Sequence, residues 1–200
     1  MFRKRIVVTL LASVASLALP AFSQSEEQGK NEVSVQAFGS FLKSTTENGI
    51  LNSATNSGGV LGSYRYFFNA HSGVEANYGY ALNTQNFLSS SGTLGVKSYS
   101  HEISGAYVFR LPMKRFTPFV SAGAAALIFD PKDFQGAEAQ TRAAFVYGGG
   151  ADFNVSHHVF VRAEYRGFVY NSPTYNLIGL DGTDRITHRA EPSIGFGYRF

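Results

Sequence analysis

Hydrophobic and polar residues alternate along most of the chain with a period of two, which is the repeat of a β-strand and not of a helix. The alternation predicts eight strands, each near the roughly 9 to 11 residues that a tilted membrane strand requires. After residue 23 the chain has no apolar run of about 18 residues, so no membrane-spanning helix is predicted there. The predicted strands cover residues 32–42, 59–68, 74–84, 96–110, 117–129, 141–154, 159–170 and 187–200.

The connections between these segments alternate in length. Short connections contain turn formers, such as the cluster from Asn69 to Gly73 and Pro112 after the fourth segment. Long connections are rich in Ser, Thr, Asn and Gly and are expected to face water. This alternation is typical of outer-membrane barrels, which have long extracellular loops and short periplasmic turns. The long connections are 43–58, 85–95, 130–140 and 171–186, and the short ones are 69–73, 111–116 and 155–158.

The two faces of each segment differ in charge. In the seventh segment Arg162, Glu164 and Arg166 share one face, and the other face carries no charge. In the eighth segment Arg189 and Glu191 likewise lie opposite a face of apolar and aromatic residues. The second, third and fourth segments follow the same rule, the first and sixth alternate more weakly, and the fifth fits either facing.

The contrast between the faces separates a membrane barrel from a soluble one. A lipocalin-like barrel is apolar inside, whereas a membrane barrel is apolar outside and polar inside. The chain has 18 Phe and 11 Tyr but only 16% charged residues. The interior of a small barrel has little room, so we expect Gly, Ser, Ala and matched charges inside and the aromatic face outside. In water that face would be a large exposed apolar belt. We therefore predict an all-β, eight-stranded, antiparallel up-and-down transmembrane β-barrel, with a soluble barrel or sandwich as the alternative.

The first 23 residues have the layout of a secretory signal peptide. Arg3, Lys4 and Arg5 precede an apolar run, and a small-residue cleavage site ends at Ser23. The sequence thus predicts a signal peptide at 1–23 and an outer-membrane barrel domain at 24–200, with an uncleaved helical anchor as the alternative. Cleavage would remove three of the 17 basic residues and none of the 14 acidic ones, which leaves no net charge. We therefore expect no nucleic-acid partner.

The charged faces, if they point inward, predict a network of ion pairs in the lumen. Buried charges persist only when they are paired. We expect Glu164 to pair with Arg189, and Glu191 with Arg162 or Arg166, so that the network plugs the lumen; an ion-conducting constriction is the alternative. Arg110 and Arg199 are expected to line or rim the same space. The predicted network comprises Arg65, Glu75, Glu102, Arg142, Arg162, Glu164, Arg166, Arg189 and Glu191.

No residue pattern commits the chain to catalysis, a metal or a cofactor. The chain has no cysteine, and His157–His158 lies in a predicted turn without further ligands. His188 lies near Asp181 and Asp184, which leaves a lipid-modifying or hydrolytic rim site as a less favoured alternative. Loops on a rigid scaffold commonly bind partners, so an extracellular ligand or an adhesive role stays open.

The chain ends on alternating aromatic residues, Phe196, Tyr198 and Phe200, preceded by Ile194. With the charged penultimate strand, this ending resembles the outer-membrane β-barrel families related to the transmembrane domain of outer membrane protein A. The resemblance covers about 170 residues and implies an outer-membrane location, with membrane lipid as the surroundings. It also implies that Ile194, Phe196, Tyr198 and Phe200 form the signal that the barrel-assembly machinery reads. Larger members continue into a peptidoglycan-binding domain, and cell-wall anchoring is not expected here.

Overall fold

The computed structural model describes residues 29–42, 45–47, 50–54, 57–89, 92–132, 139–171 and 186–200. The predicted signal peptide and most of the 171–186 connection lie outside these residues. Within them, no helix is long and apolar enough to cross a membrane. The strands are β1 (Asn31–Leu42), β2 (Thr45–Glu47), β3 (Ile50–Ala54), β4 (Ser57–Phe67), β5 (Ser72–Ser89), β6 (Gly92–Arg110), β7 (Phe116–Lys132), β8 (Gln140–Asn154), β9 (Val159–Asn171) and β10 (Ile186–Arg199).

Eight of the described strands close into an antiparallel barrel. Each of β4 to β9 pairs with the next strand along the chain, and β1 pairs with both β4 and β10. The prediction of an eight-stranded, up-and-down barrel is confirmed, and each predicted strand overlaps an observed one. Between β1 and β10 the ladder is interrupted from Ser193 to Ala190, where Pro192 has no N–H to donate.

Both chain ends meet at one end of the barrel. The backbone N–H of Asn31 donates to the carbonyl of Phe200 at 3.1 Å, and the N–H of Phe200 donates to the carbonyl of Asn31 at 2.9 Å. The short turns 68–71, 111–115 and 155–158 lie at this same end, as predicted. In outer-membrane barrels this is the periplasmic end.

At the opposite end the structure corrects two predicted loops. The connection 43–58 contains the short strands β2 and β3, and β3 pairs with the upper part of β5. The connection 85–95 is mostly strand, because β5 and β6 stay paired as far as Ser89 and Gly92. The alternation of apolar and polar residues fades in these segments, so no sequence pattern indicates that the backbone pairing continues there.

The side chains alternate between the two faces of the wall as predicted for the charged strands. Glu102 is buried on β6, whereas Ile103 and Tyr107 on the opposite face are about half exposed, at 54% and 51%. On β7, whose facing the sequence left open, Phe119 and Leu127 point inward and Val120 points outward. Large apolar side chains are exposed on every strand of the barrel, so the outer surface suits contact with lipid.

Candidate functional site

Among the described residues, twelve buried or largely buried charged side chains meet in the lumen through ion pairs. Six are arginines and six are acids, so the set has no net charge, and each member takes part in at least one ion pair with another. Arg162 and Glu191 expose 0% of their surface. The members are Glu32, Arg65, Glu75, Glu102, Arg110, Asp152, Arg162, Glu164, Arg166, Arg189, Glu191 and Arg199.

Four of these residues form a closed ring, which we call the upper quartet: Glu102, Arg166, Arg189 and Glu191. Glu102 on β6 contacts Arg166 at 2.5 Å and Arg189 at 3.2 Å. Glu191 on β10 contacts the same arginines at 2.7 Å and 2.9 Å. Because each guanidinium lies between two carboxylates, the quartet joins β6, β9 and β10 across the lumen and is neutral by itself.

A central cluster is built on Arg65 of β4. Its guanidinium contacts Glu75 of the neighbouring strand β5, and it reaches across the lumen to Glu164 of β9 at 3.3 Å. Glu75 also accepts a hydrogen bond of 2.5 Å from Asn77, and Glu164 accepts one of 3.4 Å from Gln36. The two acids therefore share one arginine and complete their hydrogen bonding with side-chain amides, which buried carboxylates require.

A lower cluster near the periplasmic end is organised by Glu32. Its carboxylate oxygens form ion pairs with guanidinium nitrogens of Arg110 at 2.5 Å, Arg162 at 2.9 Å and Arg199 at 2.8 Å. Arg162 in turn donates to both carboxylate oxygens of Asp152, at 2.6 and 2.8 Å. Such a bidentate pair fixes the orientation of the guanidinium. The lower cluster has one more arginine than acids, and the central cluster has one more acid than arginines, so together they are neutral.

Aromatic rings line part of the lumen, which corrects the expectation that the interior holds mainly small and charged residues. The Arg65 guanidinium lies 4.0 Å from the centre of the Phe119 ring, and Arg110 lies 3.4 Å from that of Phe67. Arg189 lies 4.7 Å from the centre of the Phe168 ring. These cation–π contacts explain how inward rings and charges share the space.

Room for the inward rings comes from glycines on the adjacent strands. Phe38 is paired across strands with Gly59, and Phe160 is paired with Gly197. A Cβ added to either glycine would collide with the ring of its partner. The rings thus lie over glycine backbone, an arrangement that also supports glycines within strands.

An apolar cluster continues from the upper quartet toward the long loops. Leu127 is paired across strands with Glu102, and Phe168 is paired with Arg189. Two positions further along their strands, Phe129 and Tyr170 stack with ring centres 6.2 Å apart. The lining of the lumen thus changes from mainly charged to mainly apolar side chains along its length, although Arg142 lies opposite Leu127 in the apolar part.

The structure brings eight of the nine predicted network residues into the three charged clusters. The ninth, Arg142, lies partly buried toward the long-loop end of β8, opposite Leu127. The expected pairing of Glu164 with Arg189 is wrong, because Glu164 lies opposite Ser193 and contacts Arg65 instead. Glu191 contacts Arg166, one of its two expected partners, and Arg162 contacts Glu32 and Asp152.

Sequence reasoning missed Glu32 and Asp152. Glu32 lies on β1 and Asp152 on β8, the two strands in which apolar and polar residues alternate more weakly. Glu32 nevertheless shares a face with Ser34 and Gln36, opposite Val33 and Val35, and this local alternation is the signal that could have found it. Asp152 follows Gly148, Gly149 and Gly150, which carry no side chain to mark a face, so only the strand pairing reveals it.

The histidines considered as candidate ligands or catalysts lie outside the lumen. His188 is on the outer wall, with its Nε2 2.7 Å from the Tyr147 hydroxyl. Asp181 and Asp184, its suggested partners, lie outside the described residues. His157 and His158 are exposed in the β8–β9 turn, where the His158 ring stacks on Tyr198. In the part of the chain that the structure describes, no group of three or more acidic or histidine side chains is arranged to hold a metal ion.

The four C-terminal residues suggested as an assembly signal belong to β10 and its end. Ile194 and Phe196 are among the most exposed apolar side chains on the outer wall, at 61% and 70%. Tyr198 and Phe200 stack with ring centres 6.3 Å apart next to the periplasmic turns. The four side chains therefore form one outward stripe along the strand that closes the barrel.

Several solved structures of bacterial outer-membrane proteins share this architecture. The chain resembles OprG of Pseudomonas aeruginosa, with 15% identity, a TM-score of 0.62, and 87% of this chain and 97% of that one covered. It resembles neisserial surface protein A with 15% identity, a TM-score of 0.63 and coverage of 88% and 100%. For Ail, the attachment invasion locus protein of Yersinia pestis, the values are 23%, 0.55, 87% and 100%.

At these identities the structural neighbours establish the fold alone. Comparison of the sequence with curated proteins finds no match. The model of the outer membrane protein β-barrel domain family, however, matches residues 9–200, nearly the whole chain. The family match agrees with the closed antiparallel barrel and its apolar outer wall, and it confirms the family resemblance and the outer-membrane location inferred from the sequence. The chain therefore belongs to the outer membrane protein β-barrel domain family.

Proposed function

We propose that this outer-membrane barrel is a sealed, non-conducting scaffold with a structural or surface-exposed role, exported by a signal peptide at residues 1–23. The observation that carries the proposal is the burial of the lumen charges. Arg65, Arg162 and Arg166 are each at most 1% exposed, and every acid of the three clusters is paired with an arginine. A water-filled pore would leave such charges hydrated.

The physical reason for sealing is the strength of the network. Breaking a buried ion pair by removing one partner leaves an uncompensated charge and costs about 3–5 kcal/mol. Opening an ion path by moving several pairs apart would cost more, unless water replaced their contacts. The neutral clusters also leave no net charge that would draw a permeant ion into the lumen.

Planar-bilayer recordings of the refolded protein test the proposal. The unmodified barrel is expected to show very small conductance, and Glu164→Ala is expected to raise it, because Glu164 holds Arg65 across the lumen at 3.3 Å. Val35→Ala removes a side chain that is 63% exposed on the outer wall, and it serves as the matched control with unchanged conductance. A large steady conductance of the unmodified barrel would reject sealing and favour the small porin-like channel.

We infer surface recognition as a second role, supported by the projecting strands at the long-loop end. The β5–β6 hairpin stays paired as far as Ser89 and Gly92, and β3 adds to it through Leu51↔Leu88. Because these strands are already paired, a loop that they carry would lose little conformational freedom when it binds a ligand. Ail, a protein of the same fold, has been solved with the heparin analogue sucrose octasulfate.

Whole cells that display the barrel test the second role. Fluorescent heparin is the probe, and each long loop is replaced in turn by Gly-Ser. Recognition predicts binding above that of cells without the barrel and its loss on replacement of one loop. Equal binding by all these cells would remove the support for this ligand class and leave the scaffold role. The proposal assigns no catalytic reaction to the barrel.

A further inference from the structure

The periplasmic end of the barrel carries cationic side chains on the turn between β6 and β7. Lys114 and Arg115 are both exposed there, and neither takes part in an ion pair among the described residues. A second turn lies beside it, because the backbone N–H of Asn154 donates to the carbonyl of Arg115 at 3.0 Å. That second turn contributes the exposed His157 and His158.

The acids nearest to this end do not neutralise these cations. Glu32 and Asp152 are each only 1% exposed and point into the lumen, where they contact Arg110, Arg162 and Arg199. Among the described residues of the periplasmic turns, none is acidic. The described periplasmic turns are therefore basic on their outer surface, although the charges of the lumen just inside them are paired.

Apolar side chains flank the two cations. Leu111, Met113 and Phe116 are 46%, 47% and 41% exposed. Their exposure places apolar groups at the edge of the outer wall, where lipid acyl chains begin, with the charged groups beside them at the level of the headgroups. Exposed apolar residues on both sides of a basic pair at a bilayer surface are typical of an interfacial anchor.

We propose that the β6–β7 turn, assisted by the β8–β9 turn, binds the phosphate headgroups of anionic phospholipids in the periplasmic leaflet. The guanidinium of Arg115 suits two phosphate oxygens at once, and the ammonium of Lys114 adds a mobile point charge. Leu111, Met113 and Phe116 contact the acyl chains of the same lipids. This surface is independent of the lumen and of the loops, so it goes beyond the proposed scaffold role.

Tryptophan quenching provides the test, because the chain has no tryptophan of its own. Phe116→Trp places one reporter at the turn. Phe145→Trp places one on the outer wall of β8, nine positions from that strand's periplasmic end, where Phe145 is 55% exposed. Each variant is refolded into vesicles of phosphatidylcholine containing brominated phosphatidylglycerol or brominated phosphatidylcholine, and quenching gives the relative association of the two lipids with each reporter.

We expect phosphatidylglycerol to be favoured about fivefold at the Phe116→Trp reporter and about equally with phosphatidylcholine at the Phe145→Trp reporter. Adding Lys114→Gln and Arg115→Gln should abolish the preference. Lys97→Gln with Lys132→Gln is the matched control, because these residues are a cross-strand pair on the same strands at the opposite end. This control should keep the preference.

Three results would overturn the inference: equal quenching by both lipids at the turn, a preference that survives removal of Lys114 and Arg115, or a preference lost equally in the Lys97 and Lys132 control.

Competition by inorganic phosphate distinguishes binding of a lipid headgroup from binding of free phosphate. If it removes the preference no better than sodium chloride of equal ionic strength, the lipid surface is supported. If it competes far better, the turn recognises free phosphate and the lipid assignment fails. Gel mobility before boiling verifies that every variant is folded.

Discussion

Glu102→Gln tests whether the upper quartet stabilises the barrel. The substitution keeps the size of the side chain but removes the charge that contacts Arg166 at 2.5 Å and Arg189 at 3.2 Å. At an effective dielectric constant of about 20, one pair of unit charges about 4 Å apart is worth about 4 kcal/mol. The substitution removes two such contacts, but the folded protein no longer has to desolvate a carboxylate, which offsets part of the loss. The net loss of stability is therefore expected to match that of breaking a buried ion pair, about 3–5 kcal/mol.

The assay is unfolding by urea in zwitterionic detergent, followed by far-ultraviolet circular dichroism. The free energy of unfolding of the Glu102→Gln variant is expected to fall by about 3–5 kcal/mol. Lys114→Gln removes a charge from an exposed position outside the network and is expected to change stability by less than about 0.5 kcal/mol. The comparison separates the loss of the quartet from a general effect of charge.

A double variant makes the test sharper. Glu102→Gln combined with Arg189→Gln leaves Arg166 paired with Glu191 at 2.7 Å, so the remaining charges are balanced. The double variant should therefore be more stable than the sum of the single effects predicts, with a coupling energy of about 1–3 kcal/mol. A loss below about 1 kcal/mol for Glu102→Gln, or strict additivity of the two substitutions, would refute the view that the quartet acts as one unit.

The inward rings and the C-terminal strand give two further predictions. Gly59→Ala should lower the free energy of unfolding by about 1–3 kcal/mol, because its Cβ would collide with the Phe38 ring. Gly58→Ala should have little steric effect, since the nearest atom lies 3.7 Å away; equal losses in urea unfolding would contradict this account. Phe200→Ala keeps the backbone bonds to β1, so refolding in detergent should be preserved, while folded yield in cell membranes should fall more than for Phe196→Leu. Equal yields in the membrane fraction would count against the assembly signal.

The strands and their facing could be predicted from the sequence because both follow from local alternation. On β9, Arg162, Glu164 and Arg166 occupy every second position, which fixes their shared face whatever the neighbouring strand does. Because lipid surrounds the barrel and its interior is narrow, the apolar face is expected to point outward and the charged face inward. The same reasoning failed on β7, because its Ala and Gly residues are small enough to face either side of the wall. The facing of β7 follows only from its pairing with β6 and β8 in the closed barrel.

The partners of the charges could not be predicted, because they depend on register. A shift of two positions between β9 and β10 keeps every residue on its face and changes every pair. In the observed register Arg189 lies opposite Phe168, and Glu164 lies opposite Ser193. Several contacts also cross the lumen between strands that are not neighbours, such as Arg65 of β4 with Glu164 of β9, and no pattern along the chain encodes them.

The proposed sealing of the lumen depends on two successive layers of side chains, one of paired charges and one of apolar residues. In the charged part, the proposal has ions excluded because each charge of the three clusters is already paired, and water excluded because side chains such as Arg162 and Glu191 are fully buried. In the apolar part, Leu127, Phe129 and Phe168 are also buried to within 1%, and these three side chains offer a crossing ion no group to replace its hydration, although Arg142 lies opposite Leu127 at this level. Loosening the charged part alone leaves the apolar part in place, so the conductance of Glu164→Ala should rise only to the limit that this second layer sets. Under the proposed sealing, the charged layer would therefore hold the strands in register, and the apolar layer would keep the barrel closed when an ion pair is lost.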